Sequence, residues 1–364
     1  MILSITLSKY FGKQFFIGIL MALSLLIGLV FLVDFVELLR RASGEDINIG
    51  IIISMAILKL PTMIQKIFPF AFLFGGIFTF ARLTKTHELV VTRAAGVSVW
   101  QFLLPAMIIA LICGTFVVTV FNPLSSIMAS QYELLETRHY RKSSSLLSLS
   151  TEGLWIRKAG ETRLSVIHAE RATDEGIDLS NVIIFLYDTK GENFLGRIDA
   201  KSARLETPLW KLNNVIVTLA NETPKRFDNY ELSTTLTTEQ IQDSFASPET
   251  LSFWILPGFI SILRDAGFGA VKHRVHWHSI LSIPFFLCAM VLIAATFALR
   301  LTAKGGTSLL IVGGVLAGFI LYVLSDIVLA LGLSGKIPPI LAAWTPAGIS
   351  ALIGLSLLFH LEDG

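Results

Sequence analysis

Arg82-Leu-Thr-Lys-Thr-His-Glu-Leu-Val-Val-Thr-Arg-Ala-Ala-Gly96 decides how this chain is read. The stretch is short, charged and helix-prone, and long apolar runs flank it on both sides. Upstream, residues 49–65 and 67–81 join into one mostly apolar segment. Downstream, residues 94–132 carry no charge at all. A polar helix held between two such runs lies at a membrane surface, where a soluble partner can press on it. Glu88 is the acid at its centre.

Working outward, the apolar runs multiply. A bilayer core is crossed by about 20 apolar residues in a helix. Residues 14–33, 275–299, 305–325 and 337–361 each meet that length, and residues 94–132 are long enough to cross and continue as a helix beyond. Residues 67–81 are too short alone. Joined to 49–65 they predict one long helix, broken near Pro61 and Pro69 because proline removes a donor and bends a helix. Lys59 and Lys66 then lie near its outer end or face the protein interior. The count is six spans, three on each side of a polar insert.

Charge confirms the division. Only 15% of the 364 residues are charged and 53% are apolar, with mean hydropathy +0.70. A soluble domain carries roughly 25% charged residues. Sixteen charges fall in residues 1–137, thirty in 138–250 and ten in 251–364, so two membrane blocks enclose one water-soluble insert. The net charge of +2 points to no particular partner and gives no sign of nucleic-acid binding. Cys113 and Cys288 both fall inside apolar runs, and two such residues make neither a disulfide framework nor a metal set.

The short loops set the orientation. With the N-terminus inside, Lys9, Lys13, Arg82, Lys85, Arg93, Arg300 and Lys304 lie at the cytoplasmic ends. Arg40, Arg41 and Lys336 lie outside, which fits the positive-inside rule. Both termini are then cytoplasmic, and the insert is not. Ala42-Ser-Gly44 offers a small-residue cleavage site, but the first apolar core is too long for a signal peptide.

The insert reads as strands. Residues 153–158, 163–168, 182–187 and 215–219 are rich in β-branched and aromatic residues, with turn signals at 174–176, 189–191 and 207–208. Regular short strands of this kind predict an antiparallel sandwich or jelly roll. It is either a stabilising ectodomain or an open-edged sheet that receives cargo or another sheet edge. Residues 251–274 place Phe253, Trp254, Leu256, Phe259, Ile260 and Leu263 at helical spacing, an interfacial amphipathic linker. His273, His276 and His278 follow around Trp277. With no acid or cysteine near them, interface anchoring by Trp277 is the expectation rather than a metal.

No catalytic signature is present. There is no G-x-x-x-x-G-K-[ST] nucleotide loop, and residues 332–337 imitate it with the wrong spacing and no hydroxyl. No H-E-x-x-H or G-x-S-x-G occurs. The chain is expected to be no enzyme and to hold no cofactor, so any energy it uses comes from another subunit.

Four motifs carry a family resemblance over nearly the whole length. They are Glu88-Leu-Val-Val-Thr-Arg-Ala-Ala-Gly96, Ser145-Leu-Leu-Ser with Glu152-Gly-Leu-Trp155, Phe319-Ile-Leu-Tyr-Val-Leu-Ser-Asp326, and Ile337-Pro-Pro-Ile340. With them the chain resembles the lipopolysaccharide-export permeases of the LptF/LptG (YjgP/YjgQ) family, and more closely the LptG branch. The resemblance implies an α-helical integral membrane protein of the bacterial inner membrane, with six transmembrane helices and an inserted all-β, jelly-roll-like periplasmic domain. The implied divisions are 1–137 for the first three spans, 138–250 for the β domain, 251–274 for the linker and 275–364 for the last three spans.

It also implies partners: a second, LptF-type permease, an LptB-type ATPase dimer that holds ATP and Mg2+, and an LptC-type periplasmic bridge, with lipopolysaccharide as cargo on its way to the outer membrane. In this family the segment between the second and third spans, about 84–96 here, is the coupling helix that docks on the ATPase. Thr86, His87, Glu88, Leu89, Val90, Arg93 and Gly96 are the residues expected to serve it. Thr84 or Thr86 would cap the helix, Glu88 would pair with a partner arginine, Leu89 and Val90 would make the apolar contact, and Gly96 would end it.

Cargo phosphates suggest a second site. Arginine binds phosphate in bidentate fashion, and Arg40, Arg41, Lys59, Lys66, Arg138 and Arg141 could rim a cavity at the outer leaflet. Phe31 and Phe35 could hold acyl chains, or simply face lipid. Ordinary snorkelling, or pairing with Glu37, Glu133 and Glu136, is the plain alternative. Family members often carry a basic residue near the outer end of the first span, where this chain has Asp34. Asp326, an acid inside a span, is expected to face packing or a partner. Two other classes remain open: a different ATP-driven amphiphile or lipoprotein extractor, and a membrane scaffold without cargo.

Overall fold

The computed structural model describes residues 5–43, 47–140, 146–150, 153–159, 164–173, 178–188, 193–206, 209–220, 222–234, 246–265, 268–302 and 307–362. It divides into two units: Met1–Tyr132 with Arg274–Gly364, and Glu133–His273.

The first unit is helical. Helix α1 spans Ile5–Ala42, α2 Ile49–Lys85, α3 Glu88–Ala94 and α4 Val99–Phe116. One π turn, Val117–Phe121, runs α4 directly into α5, Asn122–Tyr140. After the β unit come α7 (Val271–Thr302), α8 (Thr307–Leu333) and α9 (Pro339–Glu362). Six helical segments among the described residues are long and apolar enough to cross a membrane. Helix α2 stays continuous through Pro61 and Pro69, where the sequence predicts breaks. Membrane helices keep such prolines because neighbours supply the lost contacts. Beside Pro61, the Thr62 and Ser125 hydroxyls share a hydrogen bond of 3.2 Å that ties α2 to α5 without replacing a backbone bond.

Close approach of backbones holds this unit together. At the α1–α2 crossing, a Cβ on Gly75 would sit 2.7 Å from Ile19 Cα, and one on Gly18 would collide with Thr79 Oγ1. Only glycine fits there. Phe15 stacks on Phe80 at 5.7 Å and meets Phe72 edge-on at 6.1 Å. Phe102 of α4 closes the cluster against Phe11 and Phe80. Such rings bring large apolar areas together, each aromatic pair adding about 0.5–1.5 kcal/mol beyond burial.

The second unit holds one antiparallel sheet of seven strands in sequence order: β1 Leu146–Ser150, β2 Gly153–Ala159, β3 Leu164–Thr173, β4 Asp178–Tyr187, β5 Phe194–Glu206, β6 Leu209–Leu219 and β7 Lys225–Ser233. The inserted all-β domain is therefore present, and each strand pairs with its sequence neighbour as an up-and-down meander. Alternation buries one face through Ile167, Val182, Ile184, Ile198, Leu212, Val215 and Trp210. The pairing skips one position on each of five strands along a single row: Glu170, Asn181, Lys201, Asn214 and Asp228. Asn181 and Asn214 adopt left-handed backbone there, with φ of 49° and 55°. Asparagine tolerates that region better than most residues, so the row is a crease written into the sequence. Helix α6, Leu256–Asp265, turns Leu256, Ile260 and Leu263 inward and leaves Trp254 and Ile255, just before it, exposed.

Candidate functional site

The Arg82–Gly96 stretch folds as the end of α2, a sharp corner and the two-turn helix α3. His87 makes the corner with left-handed φ of 58° and stands at the N-cap without a side-chain bond. Neither threonine caps α3 as the sequence suggested. Thr84 Oγ1 donates to Phe80 O at 2.8 Å, and Thr86 Oγ1 lies 3.1 Å from Arg82 O. Serine and threonine hydroxyls reach back in this way to carbonyls of the preceding turn that backbone N–H groups already use, as Thr86 N–H does at Arg82 O, 3.0 Å. The single Thr86 hydroxyl proton is closest to Glu88 Oε1, at 2.8 Å, and the Tyr10 hydroxyl of α1 reaches the same carboxylate. Glu88 thus sits in the first turn of α3, where its charge suits the helix dipole.

Gly96 ends α3 with φ of +83°. Its N–H bonds Arg93 O at 2.9 Å, and Val97 N–H bonds Thr92 O at 3.3 Å, the paired pattern of a Schellman stop. Space around Gly96 is open, so the backbone angle is what requires glycine. Ser98 then starts α4 with a full capping box to Gln101. The S-x-x-Q spacing of Ser98 and Gln101 is the sequence signal for this helix start.

Exposure corrects the expected apolar contact. Leu89 is 1% exposed and belongs to the core cluster with Phe11, Leu83 and Phe102. It anchors α3 and cannot touch a partner. Val90 and Val91 are the exposed apolar pair, at 54% and 67%. Arg93, Thr86 and His87 are exposed around them. The outward surface of α3 is therefore two valines rimmed by cations and hydroxyls, with the half-buried Glu88 at one end.

The outer-end residues are paired more fully than the sequence implied. Lys59 Nζ donates to Asp34 Oδ1 at 2.6 Å, with Asp34 only 7% exposed. The ammonium also lies 5.7 Å from the centre of the Tyr132 ring. Lys59 is an internal counter-ion joining α1, α2 and α5, rather than a free cation for cargo. Arg40 makes two bonds of 2.9 Å to Glu37, and Arg41 a third of 3.1 Å. Both guanidiniums remain exposed, so one carboxylate meets two cations and the group keeps a net positive charge. Phe31 and Phe35 stack at 6.0 Å on the same helix. Lys66 is exposed two turns beyond Lys59 on α2, and Arg138 is exposed near the end of α5. Arg141 lies outside the described residues. In the second unit, Glu133 accepts from Ser247 Oγ at 2.8 Å.

His273 is buried and bonds Ala246 O at 3.0 Å, while Trp277 meets His278 edge-on. The three histidines follow one another on α7 without converging on another ligand type.

With this geometry in place, similarity to known proteins is informative. Residues 9–360 match the family model described as lipopolysaccharide export system permease LptF/LptG. The chain is 28% identical over 376 residues to lipopolysaccharide export system permease protein LptG of Escherichia coli (strain K12), covering 97% of this chain and 98% of that protein. It is 24% identical over 374 residues to the LptG protein of Haemophilus influenzae, covering 98% and 99%. A match that runs unbroken through α1–α5, the meander and α7–α9 leaves one conclusion: this chain belongs to the lipopolysaccharide export system permease LptF/LptG family.

Proposed function

We propose that this chain is the LptG-branch permease of an exporter that extracts lipopolysaccharide from the bacterial inner membrane and passes it toward the outer membrane. The near-full-length match to LptG proteins carries this reading. On it, residues 1–137 and 275–364 form the membrane path with both termini cytoplasmic, 138–250 form the periplasmic β domain and 251–274 the linker. Helix α3 faces the cytoplasm, where its exposed Val90 and Val91 meet an LptB-type ATPase dimer that binds ATP and Mg2+. This chain binds no nucleotide and performs no chemistry. A second, LptF-type permease completes the path, and an LptC-type bridge receives the cargo.

The short α3 suits force transmission. Leu89 fixes it to the core shared by α1, α2 and α4, and the Schellman stop and capping box hold its far end. A push on α3 moves the α2–α4 corner rather than melting a loop. Arg40 and Arg41, exposed and in excess over Glu37, are the cations best placed for anionic headgroups.

Native mass spectrometry of the complex purified through this chain tests the proposal. The expected spectrum holds two different permeases, two ATPase copies and a bound glycolipid. The chain without an ATPase would support a scaffold, and an ATPase complex with a bound lipoprotein would support a different extractor.

A further inference from the structure

The ends of α1 and α2 nearest α3 leave a shallow groove between them. Its walls are Ile17 and Met21 of α1 and Phe78 of α2, and Gly18 and Thr79 close its floor. Met21 and Phe78 are each 57% exposed. Gln14 and Arg82 stand at its mouth. On α1, Gln14, Ile17 and Met21 follow at intervals of three and four residues; on α2, Phe78, Arg82 and Lys85 follow at four and three. Each trio therefore shares one helix face. The two helices run antiparallel, so both faces are polar at the same end and apolar within about 10 Å along the axis. That is the shape of an amphiphile.

The polar end is crowded with cations. Residues 5–20 and 80–98 hold Lys9, Lys13, Arg82, Lys85 and Arg93 against one acid, Glu88. All five cations are exposed, and among the described residues none of them forms an ion pair. Glu88 is already engaged by Thr86 and Tyr10. Cations at a membrane face are ordinary. An arginine at the mouth of an apolar groove between two helices is the arrangement that holds an anionic lipid headgroup. Its guanidinium pairs phosphate oxygens in bidentate fashion, and the Gln14 amide stands beside it. A zwitterionic headgroup would bring an ammonium to a cluster whose single carboxylate is taken. The groove is also separate from the outer-end cations. Arg40 stands 26 residues after Gln14 on α1, about 39 Å along the axis, beyond a bilayer core of about 30 Å.

We propose that this groove binds an anionic phospholipid of the cytoplasmic leaflet, with its phosphate on Arg82 and one acyl chain along Ile17, Met21 and Phe78. The inference takes from the proposed function only the cytoplasmic placement of α3. The headgroup then lies beside Tyr10, whose hydroxyl reaches Glu88 on α3.

Phosphatidylglycerol with a photoreactive acyl chain, placed in nanodiscs holding the full complex, tests it. Mass spectrometry should map the label to the peptides of Met21 and Phe78, at least fivefold above the same probe built on phosphatidylethanolamine. Arg82→Gln should cut the phosphatidylglycerol label at least fivefold, and Arg82→Lys should keep at least half of it. Excess lipopolysaccharide should leave the label within twofold. Equal labelling by the two headgroups, or labelling that Arg82→Gln leaves unchanged, overturns the proposal. Displacement by lipopolysaccharide overturns it too, because the groove would then belong to the cargo path. So does a photo-crosslinking amino acid at Phe78 that captures another protein chain instead of lipid. The thermal midpoint monitors folding of each variant. If the label follows the headgroup and Arg82 while no ATPase co-purifies, the exporter reading fails and the lipid site stands; if the complex exports while the label ignores Arg82, the lipid site fails alone.

Discussion

Removing Lys59 should harm this chain more than removing Asp34, although the two form one ion pair. Asp34 is 7% exposed and Lys59 29%. At 2.6 Å and an effective dielectric near 20, the gross attraction is about 6 kcal/mol. Most of that offsets the cost of taking the charges out of water. The measurable quantity is therefore what each deletion strands. Lys59→Met leaves a buried carboxylate without its counter-ion, which costs about 3–5 kcal/mol. Asp34→Asn leaves an ammonium that already reaches solvent and the Tyr132 ring, and its cost falls to about 2 kcal/mol. The double variant Asp34→Leu with Lys59→Met strands nothing and should lie within about 1 kcal/mol of the parent.

Thermal unfolding in nanodiscs reads these differences, at about 2 °C per kcal/mol for a chain of this size. Lys59→Met should drop the midpoint by about 6–10 °C, Asp34→Asn by about 4 °C, and the double variant by about 2 °C or less. Equal losses in the two single variants, or simple additivity in the double, would refute the account of a buried pair clamping α1 to α2.

Three further outcomes follow from the geometry. Val91→Asp should weaken ATPase co-purification at least tenfold with an unchanged thermal midpoint, whereas Leu89→Ala should destabilise the permease by about 2–4 kcal/mol, read by the same two assays. Asn214→Gly should preserve stability, while Asn214→Val should cost about 1–2 kcal/mol, because a β-branched residue resists positive φ; thermal scans of the full chain decide it. Lys211 sits 2.5 Å from Glu206, and their hydrogen bond lowers the Glu206 pKa from 4.5 and raises the Lys211 pKa from 10.5. The carboxylate's contribution is complete above pH 4.5 and lost as pH falls through its lowered value. The ammonium's contribution is complete below pH 10.5 and lost as pH rises through its raised value. Any difference between wild type and Lys211→Met should therefore be flat between those limits and fade in high salt. A difference that titrates near neutrality would count against the assignment.

The membrane part was legible because lipid demands long apolar helices, and runs as long as residues 14–33 and 94–132 fit a span best. The strands were harder. Residues 182–187 and 215–219 announce themselves by β-branched runs, but β5 hides Ile198, Ala200 and Ala203 among Arg197, Asp199, Lys201 and Arg204. Three of its buried positions, Gly196, Ala200 and Ala203, are small, and charged residues stand between them, so the alternation looks polar. Edge strand β7, Lys225–Ser233, is exposed almost throughout and has no apolar face to read. Side-chain pairing was the least legible feature. Lys59 and Asp34 are 25 residues apart, and it is the folding back of α2 on α1 that brings them together. Leu89 and Val91 look alike in sequence, yet α3 is so short that one residue of rotation exchanges core for surface.

The central claim is that this chain moves lipopolysaccharide only under the push of a partner ATPase acting through α3. Proteoliposomes holding the assembled complex, loaded with lipopolysaccharide and offered the periplasmic bridge protein, measure it directly. ATP should drive lipopolysaccharide onto the bridge, and Glu88→Ala should cut that transfer at least tenfold without dissociating the permeases. Transfer that proceeds equally without ATP, or that Glu88→Ala leaves undiminished, would contradict it.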